Sequence, residues 1–429
     1  MNGSQHNVGI VVGGGPAPGI NSVIGAATIR ACLAGHKVLG IHDGFKWLME
    51  GDTSHIEELT VEKVSRMHFR GGSDLGTSRA NPTKKPESLQ RTVESLLALG
   101  IDKLITIGGD DTLFTAHRVA EQAGDRIAVV HVPKTIDNDL DLPGTTSTFG
   151  YQTARHVGCD LVKNLMVDAQ TTSRWYFVVA MGRKAGHLAL GIGKAVGATI
   201  SLVPEEFPDE TIKMSEIADT LAGAIIKRKA HGKPDGIAVI AEGLIERISV
   251  EDLGEVGQLE RDPFGNIRFA EIEFGRLLKR VVEARMEQLG VKTVIVPKDI
   301  GYELRCADPI PFDMDYTRDL GYCAAKYLLE GGTRSLIAVV DGVFRPFTFT
   351  QMMDPHTGKT RVRMVDIHSD RYRIARRYML RIRRDDFGNA EELARLARTA
   401  NLSVEEFRKQ FEYLTRAEPP PIDWTPGAI

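Results

Sequence analysis

Cysteine is scarce in this sequence. Cys32, Cys159, Cys306 and Cys323 are the only four among 429 residues, and no two form a CxxC pair. That spacing excludes a disulfide framework, argues against zinc, and fits a reduced, cytoplasmic protein. Long hydrophobic runs are missing too, so nothing spans a bilayer, and the polar first seven residues carry no signal-peptide pattern. An excess of one charge is also lacking. Lys plus Arg number 54 and Asp plus Glu 57, a net charge of −3, which gives no electrostatic case for nucleic acid or a membrane surface. Short repeats and low-complexity tracts are absent. The 42% apolar and 26% charged fractions are those of a globular protein, and the length calls for two lobes.

The most informative stretch is 105–139. It opens Ile-Thr-Ile-Gly-Gly-Asp-Asp-Thr and closes Pro-Lys-Thr-Ile-Asp-Asn-Asp. The first piece reads as a strand ending in two glycines and two carboxylates, Asp110 and Asp111. The second reads as a strand over 127–132, followed by Lys134, Thr135, Asp137 and Asp139. In an open parallel sheet, ligands bind beyond the carboxyl ends of the strands. Glycines let backbone approach a phosphate, and carboxylates beside phosphate ask for a cation such as Mg²⁺. Phosphoryl transfer is the chemistry this suggests. Asp137 taken alone reads first as a turn or helix cap.

Strand and helix signals alternate along the rest of the chain. Strands are expected at 8–12, 36–41, 101–107, 175–180, 199–203, 236–241, 293–296 and 335–340. Helices are expected from about Asn21 to Gly35, and at 86–99, 186–196, 209–229, 270–289 and 320–329. The loop 13–21, Gly-Gly-Gly-Pro-Ala-Pro-Gly-Ile-Asn, is suited to phosphate but is neither G-x-G-x-x-G nor a P-loop, and alone it could be a tight connection. Arg70 and Arg79 stand in a second glycine-rich loop, where arginine can clamp phosphate but which by itself reads first as solvated. The segment 254–268 is irregular. Seven arginines crowd 371–384, read as a solvated helix or subunit contact in preference to a nucleic-acid surface, and 390–411 reads as a helix or helix pair. The proline-rich 418–429 reads as loosely packed. The class is α/β with largely parallel sheets.

These motifs together resemble the phosphofructokinase family, over roughly 8–343. They are GGPAPGIN (14–21), GGDDT (108–112), PKTIDND (133–139), MGRKAGHLAL (181–190), AEG (241–243) and GYELR (301–305), in the family's order. GGDxT alone is shared with other kinases of related fold; PKTIDND and MGR at these separations are specific. The resemblance implies two Rossmann-like three-layer α/β/α lobes with mostly parallel sheets, an active site in the cleft between them, and a helical C-terminal extension. The boundaries would be 1–148 with 304–355 for a donor lobe, 149–303 for a sugar-phosphate lobe, and 356–429 for the extension. The implied reaction moves a phosphoryl group to the 1-hydroxyl of fructose 6-phosphate. Gly14 would lie at the donor phosphate, Asp110 would serve Mg²⁺, and Asp137 would be the general base. Thr135, Ile136, Met181, Gly182, Arg183 and Glu242 would contact the sugar, and Tyr302 and Arg305 its 6-phosphate. Arg174 matches an arginine the family lends across a subunit interface, so a homo-oligomer, dimer or larger, is expected.

Asp111 and Lys134 bear on the donor. ATP-using members resemble GGDGS and PGTIDND, with glycine at both places. Asp111 would fill the space a nucleotide needs and repel its phosphates, while Lys134 could contact Asp111 and a smaller donor. The pair resembles the pyrophosphate-dependent branch, with reversible chemistry. A helix cap at Asp111, with Lys134 merely partnering carboxylates, is the plainer reading. An ATP-dependent enzyme and a catalytically silent sugar-phosphate-binding subunit are the alternatives. GYELR replaces the glutamine-arginine-glycine-glycine pattern common in bacterial ATP enzymes, and leaves sedoheptulose 7-phosphate open as substrate.

Overall fold

Twelve strands organise the described residues, which are 6–144, 146–249, 251–253, 272–420 and 422 of a computed structural model. In chain order they are β1 Asn7–Val12, β2 Lys37–Ile41, β3 Ile56–Leu59, β4 Ile101–Gly108, β5 Ala128–Thr135, β6 Phe149–Gly150, β7 Trp175–Ala180, β8 Ile200–Leu202, β9 Gly236–Ala241, β10 Ile295–Ile300, β11 Ser335–Val340 and β12 Val343–Thr348. The chain divides into two units, one of residues 1–154 and 302–363, the other of residues 155–301 and 364–429.

The first unit holds a sheet of order β12-β11-β5-β4-β1-β2-β3, with β6 beside β5. The five central strands run parallel; β3 and β12 close the edges antiparallel. The near-continuous apolar runs of β1 and β4 are what a strand covered on both faces requires. Helices Pro86–Ala98 and Asp110–Ala123 bury Leu89, Val93, Leu113 and Val119 against Leu104 and Val129. A second pair, Ile20–Leu33 and Pro311–Leu329, packs together and against β2, β4 and β5.

The second unit has a wholly parallel sheet of order β10-β7-β9-β8. Its core joins Phe177, Leu202 and Ile240 to helices Met214–Ala230 and Phe274–Gln288, and also to Phe387, Leu393, Leu396, Phe407 and Phe411 of the C-terminal region. The described residues of 364–420 fall within this unit and supply part of its core, where 356–429 was expected as an extension. Leu393, Leu396 and Ala397 form a stripe at helical spacing that must be buried.

The arginine-rich segment is in part the helix expected of it, with Arg371 and Arg377 exposed, and in part buried. Asp370–Tyr378 is helical there, and Arg384 opens a second, short helix, Arg384–Gly388. Arg381 is 5% exposed and, with Arg376 and the Tyr372 hydroxyl, satisfies the buried Glu206 carboxylate at 2.6–2.9 Å. Several arginines of the cluster thus serve internal bonding.

Other elements are shifted. The helix expected from Asp209 begins at Met214. Helix Pro311–Leu329 starts nine residues before the expected 320, with proline at its first position, where a missing N–H costs nothing. Helix Tyr151–Thr172 carried no expectation. The segment 254–268 lies outside the described residues, as does most of 418–429. No helix among the described residues is long and apolar enough to cross a membrane.

Candidate active site

In the first sheet the chain builds outward from β1 to β3, then returns to β4 and builds the other way. The switch in direction falls between β1 and β4, and such a switch point is where open α/β sheets bind ligands. The loops leaving these two strands are the first glycine turn and the Gly-Gly-Asp-Asp turn. Gly14 has φ +83°, a left-handed conformation natural only to glycine. Its N–H is bonded to the Ser78 carbonyl at 2.8 Å, and a Cβ there would lie 3.3 Å from Lys134 Nζ. Gly14 thus contributes room beside Lys134, while its amide is engaged. Gly108 is glycine for a packing reason, since a Cβ would come within 2.3 Å of the Thr112 side chain.

Asp110 and Asp111 occupy the first turn of helix Asp110–Ala123. A carboxylate is favourable at that end of the helix dipole. The cap is Gly109, with no side-chain cap bond, so Asp111 is not the cap of this helix. Its side chain is exposed, and Asp110 is half-buried.

Lys134 lies within β5, not after it, and is 4% exposed. Its ammonium donates to the Gly15 carbonyl. Burial pushes its pKa down to about 8; Asp137, Asp139 and Asp110 favour the charge, and Arg305 opposes it. The acids acting on Lys134 are thus Asp137, Asp139 and Asp110, where Asp111 was expected. Beyond β5, the Asp137 N–H donates to the Thr135 hydroxyl at 3.0 Å, Ile136 is buried, and Asn138 adopts φ 57°. Tyr302 and Arg305 belong to this same unit. The Arg305 guanidinium stacks 4.7 Å from the Tyr302 ring, and a Cβ on Gly15 would lie 3.1 Å from its Nη1. Arg305 Nε is buried, with no hydrogen-bond partner among the described residues.

The second unit gathers Met181, Gly182, Arg183 and Glu242 at the carboxyl ends of neighbouring β7 and β9. The Gly182 N–H donates to Glu242 Oε2 at 3.3 Å, and the Gly243 N–H donates to the Gly182 carbonyl at 3.1 Å. The Met181 N–H donates to the Ile300 carbonyl at 3.0 Å, tying this turn to the end of β10. Arg174 is not brought to this cluster. It precedes β7, whereas Met181 follows it, and a six-residue strand at about 3.3 Å per residue keeps them about 20 Å apart.

Three positions escaped the motif reading. His131 is fully buried on β5; its Nε2 donates to the Gly108 carbonyl at 3.0 Å, and the Thr106 hydroxyl donates to its Nδ1 at 2.8 Å. Burial holds it down to about 3, so it is a neutral ring with its proton on Nε2. A lone histidine in an apolar strand gives no local signal of that task. Glu246 shares its electrostatic surroundings with Arg183 and Glu242, and stands four residues after the latter on the same 3₁₀ turn. Glu205 is half-buried and accepts from the Gly186 N–H at 2.9 Å, fixing the far end of the Met-Gly-Arg loop; desolvation raises its pKa.

Comparison with known proteins agrees with this geometry. A curated protein of Thermotoga maritima, a pyrophosphate–fructose 6-phosphate 1-phosphotransferase, is 52% identical over 96% of this chain and 99% of its own length. One of the same name from Naegleria fowleri is 50% identical over 95% and 96%. The solved pyrophosphate-dependent phosphofructokinase of Nitrosospira multiformis superposes with a TM-score of 0.64, at 16% identity, over 99% of this chain and 95% of that one, which bears on the fold alone. The family model described as Phosphofructokinase matches residues 7–328, and the chain belongs to that family.

Proposed function

We propose that this chain transfers a phosphoryl group reversibly from pyrophosphate to the 1-hydroxyl of fructose 6-phosphate, giving fructose 1,6-bisphosphate and phosphate. Two relatives named for that reaction, 50–52% identical over nearly the whole chain, support the reading. The observation that carries the donor assignment is the buried Lys134 ammonium at the Gly14–Gly15 turn, with Asp111 exposed on the adjoining helix turn. A cation there meets a compact, highly charged donor, and Asp111 penalises the longer body of a nucleotide.

Each residue then has a task. The Asp137 carboxylate takes the proton of the 1-hydroxyl as the oxygen attacks the terminal phosphorus, and the bridging P–O bond breaks to release phosphate. Gly14, Asp111 and Lys134 shape the donor site. Thr135, Ile136, Met181, Gly182, Arg183 and Glu242 orient the sugar, and Tyr302 and Arg305 bind its 6-phosphate. The donor set suits Mg²⁺, since Asp110 offers hard carboxylate oxygen at the helix turn beside Lys134. A cation that takes one or two carboxylates and completes its shell with phosphate and water matches that set. Asp110 would hold it. A Mg²⁺ held there would neutralise charge on the donor phosphates.

Arg174 is lent to a second copy of the chain. Its distance from Met181 along β7 supports this, and the enzyme is a homo-oligomer, dimer or larger. The four free thiols suit a reducing cytoplasm. The reverse reaction tests the proposal. Fructose 1,6-bisphosphate, phosphate and Mg²⁺ should yield pyrophosphate with the purified protein; no pyrophosphate at any enzyme concentration would contradict it.

A further inference from the structure

Thr360 and Arg363 lie past residue 328, the last that the family model matches, and no motif points to them. Yet the short segment they bound runs beside both turns that carry the assigned acids. Val362 pairs with Leu140 in an antiparallel bridge, and the Arg363 N–H donates to the Asp139 carbonyl at 2.7 Å. The Thr360 hydroxyl, on a residue 9% exposed, donates to the Asp110 carbonyl at 3.0 Å. The Arg363 guanidinium spreads over the other turn. Nε donates to the Asn138 carbonyl at 3.2 Å, Nη1 to the Thr146 carbonyl at 2.8 Å and the Leu142 carbonyl at 3.4 Å, and Nη2 to Asn138 Oδ1.

Asn138 directly follows Asp137 and stands at φ 57°, left-handed for a residue with a side chain. Such a conformation costs about 1–3 kcal/mol and persists only where the surroundings over-determine it. Here one guanidinium bonds both its carbonyl and its side chain, and Asn138 Oδ1 also accepts from the Thr148 N–H at 3.1 Å. The planar five-donor fork of arginine can serve diverging acceptors at once; a lysine ammonium cannot reproduce that geometry.

We infer that Arg363, assisted by Thr360, is a positioning residue for catalysis: it fixes the backbone that aims Asp137, while Thr360 fixes the backbone of Asp110. The inference rests on the assignment of Asp137 as base and Asp110 as the Mg²⁺ ligand. A general base works only within hydrogen-bond reach of its proton, and a displacement of about 1 Å can cost about 100-fold in rate. Neither Arg363 nor Thr360 is assigned a contact with substrate, so their loss should appear in kcat, with KM largely kept.

The test uses the full-length enzyme with Arg363→Ala, Arg363→Lys, Thr360→Val and Asp137→Asn, and Lys359→Gln as an exposed control. Arg363→Ala should lose about 100-fold in kcat with KM for fructose 6-phosphate within about threefold of wild type. Arg363→Lys should recover only part of that loss, and millimolar guanidinium should restore part of the alanine variant's rate. Thr360→Val, which deletes one hydrogen bond, should lose about 2- to 10-fold in kcat and keeps the inference testable if Arg363→Ala does not fold. Wild-type kcat in Arg363→Lys and Thr360→Val would overturn the inference, as would a rate loss that only tracks lost sugar binding and melting temperature. If Asp137→Asn is dead while those two variants are fully active, the inference fails and the base assignment stands. An active Asp137→Asn removes the base assignment and the inference together.

Discussion

Replacing Lys134 by methionine nearly preserves the shape of the side chain and removes its charge. Burial pulls the Lys134 pKa from 10.5 to about 8. Holding the ammonium charged in the fold therefore costs about 3 kcal/mol, at 1.36 kcal/mol per pH unit. With that pKa the group is about nine-tenths protonated at pH 7 and about one-tenth at pH 9. A charge-assisted hydrogen bond contributes about 1.5–3 kcal/mol, so wild type should exceed Lys134→Met in kcat/KM for pyrophosphate by about 10- to 150-fold at pH 7. That ratio should shrink about tenfold by pH 9. Pyrophosphate and its Mg²⁺ complexes also titrate, but they do so for both enzymes and cancel in the ratio. Stability supplies a check of opposite sign. The folded pKa lies below the unfolded one, so between about pH 8 and 10.5 the unfolded chain holds more protons, and wild type gains stability as pH rises through that window. The methionine variant should lack this gain in melting temperature. A kcat/KM ratio that stays flat from pH 7 to 9 would refute the reasoning, because Lys134 would then either not titrate near 8 or not meet the donor.

Two other outcomes follow from the structure. Glu206→Ala leaves Arg376 and Arg381 without their buried carboxylate and should cost about 3–5 kcal/mol in denaturant unfolding, so a midpoint unchanged from wild type would mean the cluster holds nothing in place. The double change Asp111→Gly with Lys134→Gly removes both side chains on which the donor reading rests. It should lower pyrophosphate turnover, and steady-state kinetics that leave that turnover intact would strip both residues of their donor role.

The parts legible in the sequence were those with local causes. The strands at Trp175–Ala180 and Gly236–Ala241 are bounded as expected because each is an unbroken apolar run between polar punctuation. Gly14, Asp110, Lys134 and Asp137 stand out as candidates because glycine beside carboxylate at a strand end has a chemical use. Helix Tyr151–Thr172 was not legible, because the anchor of its first turn comes from far along the chain: Asp313 accepts from the Gly150 N–H at 2.9 Å and the Thr153 N–H at 2.7 Å. The edge strands β3 and β12 have mixed, partly exposed faces without clean alternation. The arginine-rich tail misled because charge density says nothing of a buried partner, and Glu206 lies 170 residues before Arg376. Arg363 is the clearest case of a role set wholly by tertiary contact. Its acceptors are backbone carbonyls and one amide oxygen, more than 200 residues earlier.

The choice of phosphoryl donor is the central claim, and one assay addresses it most directly. Purified enzyme with fructose 6-phosphate and Mg²⁺ should form fructose 1,6-bisphosphate when given pyrophosphate and turn over poorly with ATP at the same concentration. Turnover with ATP and none with pyrophosphate would contradict the reading of Asp111 and Lys134.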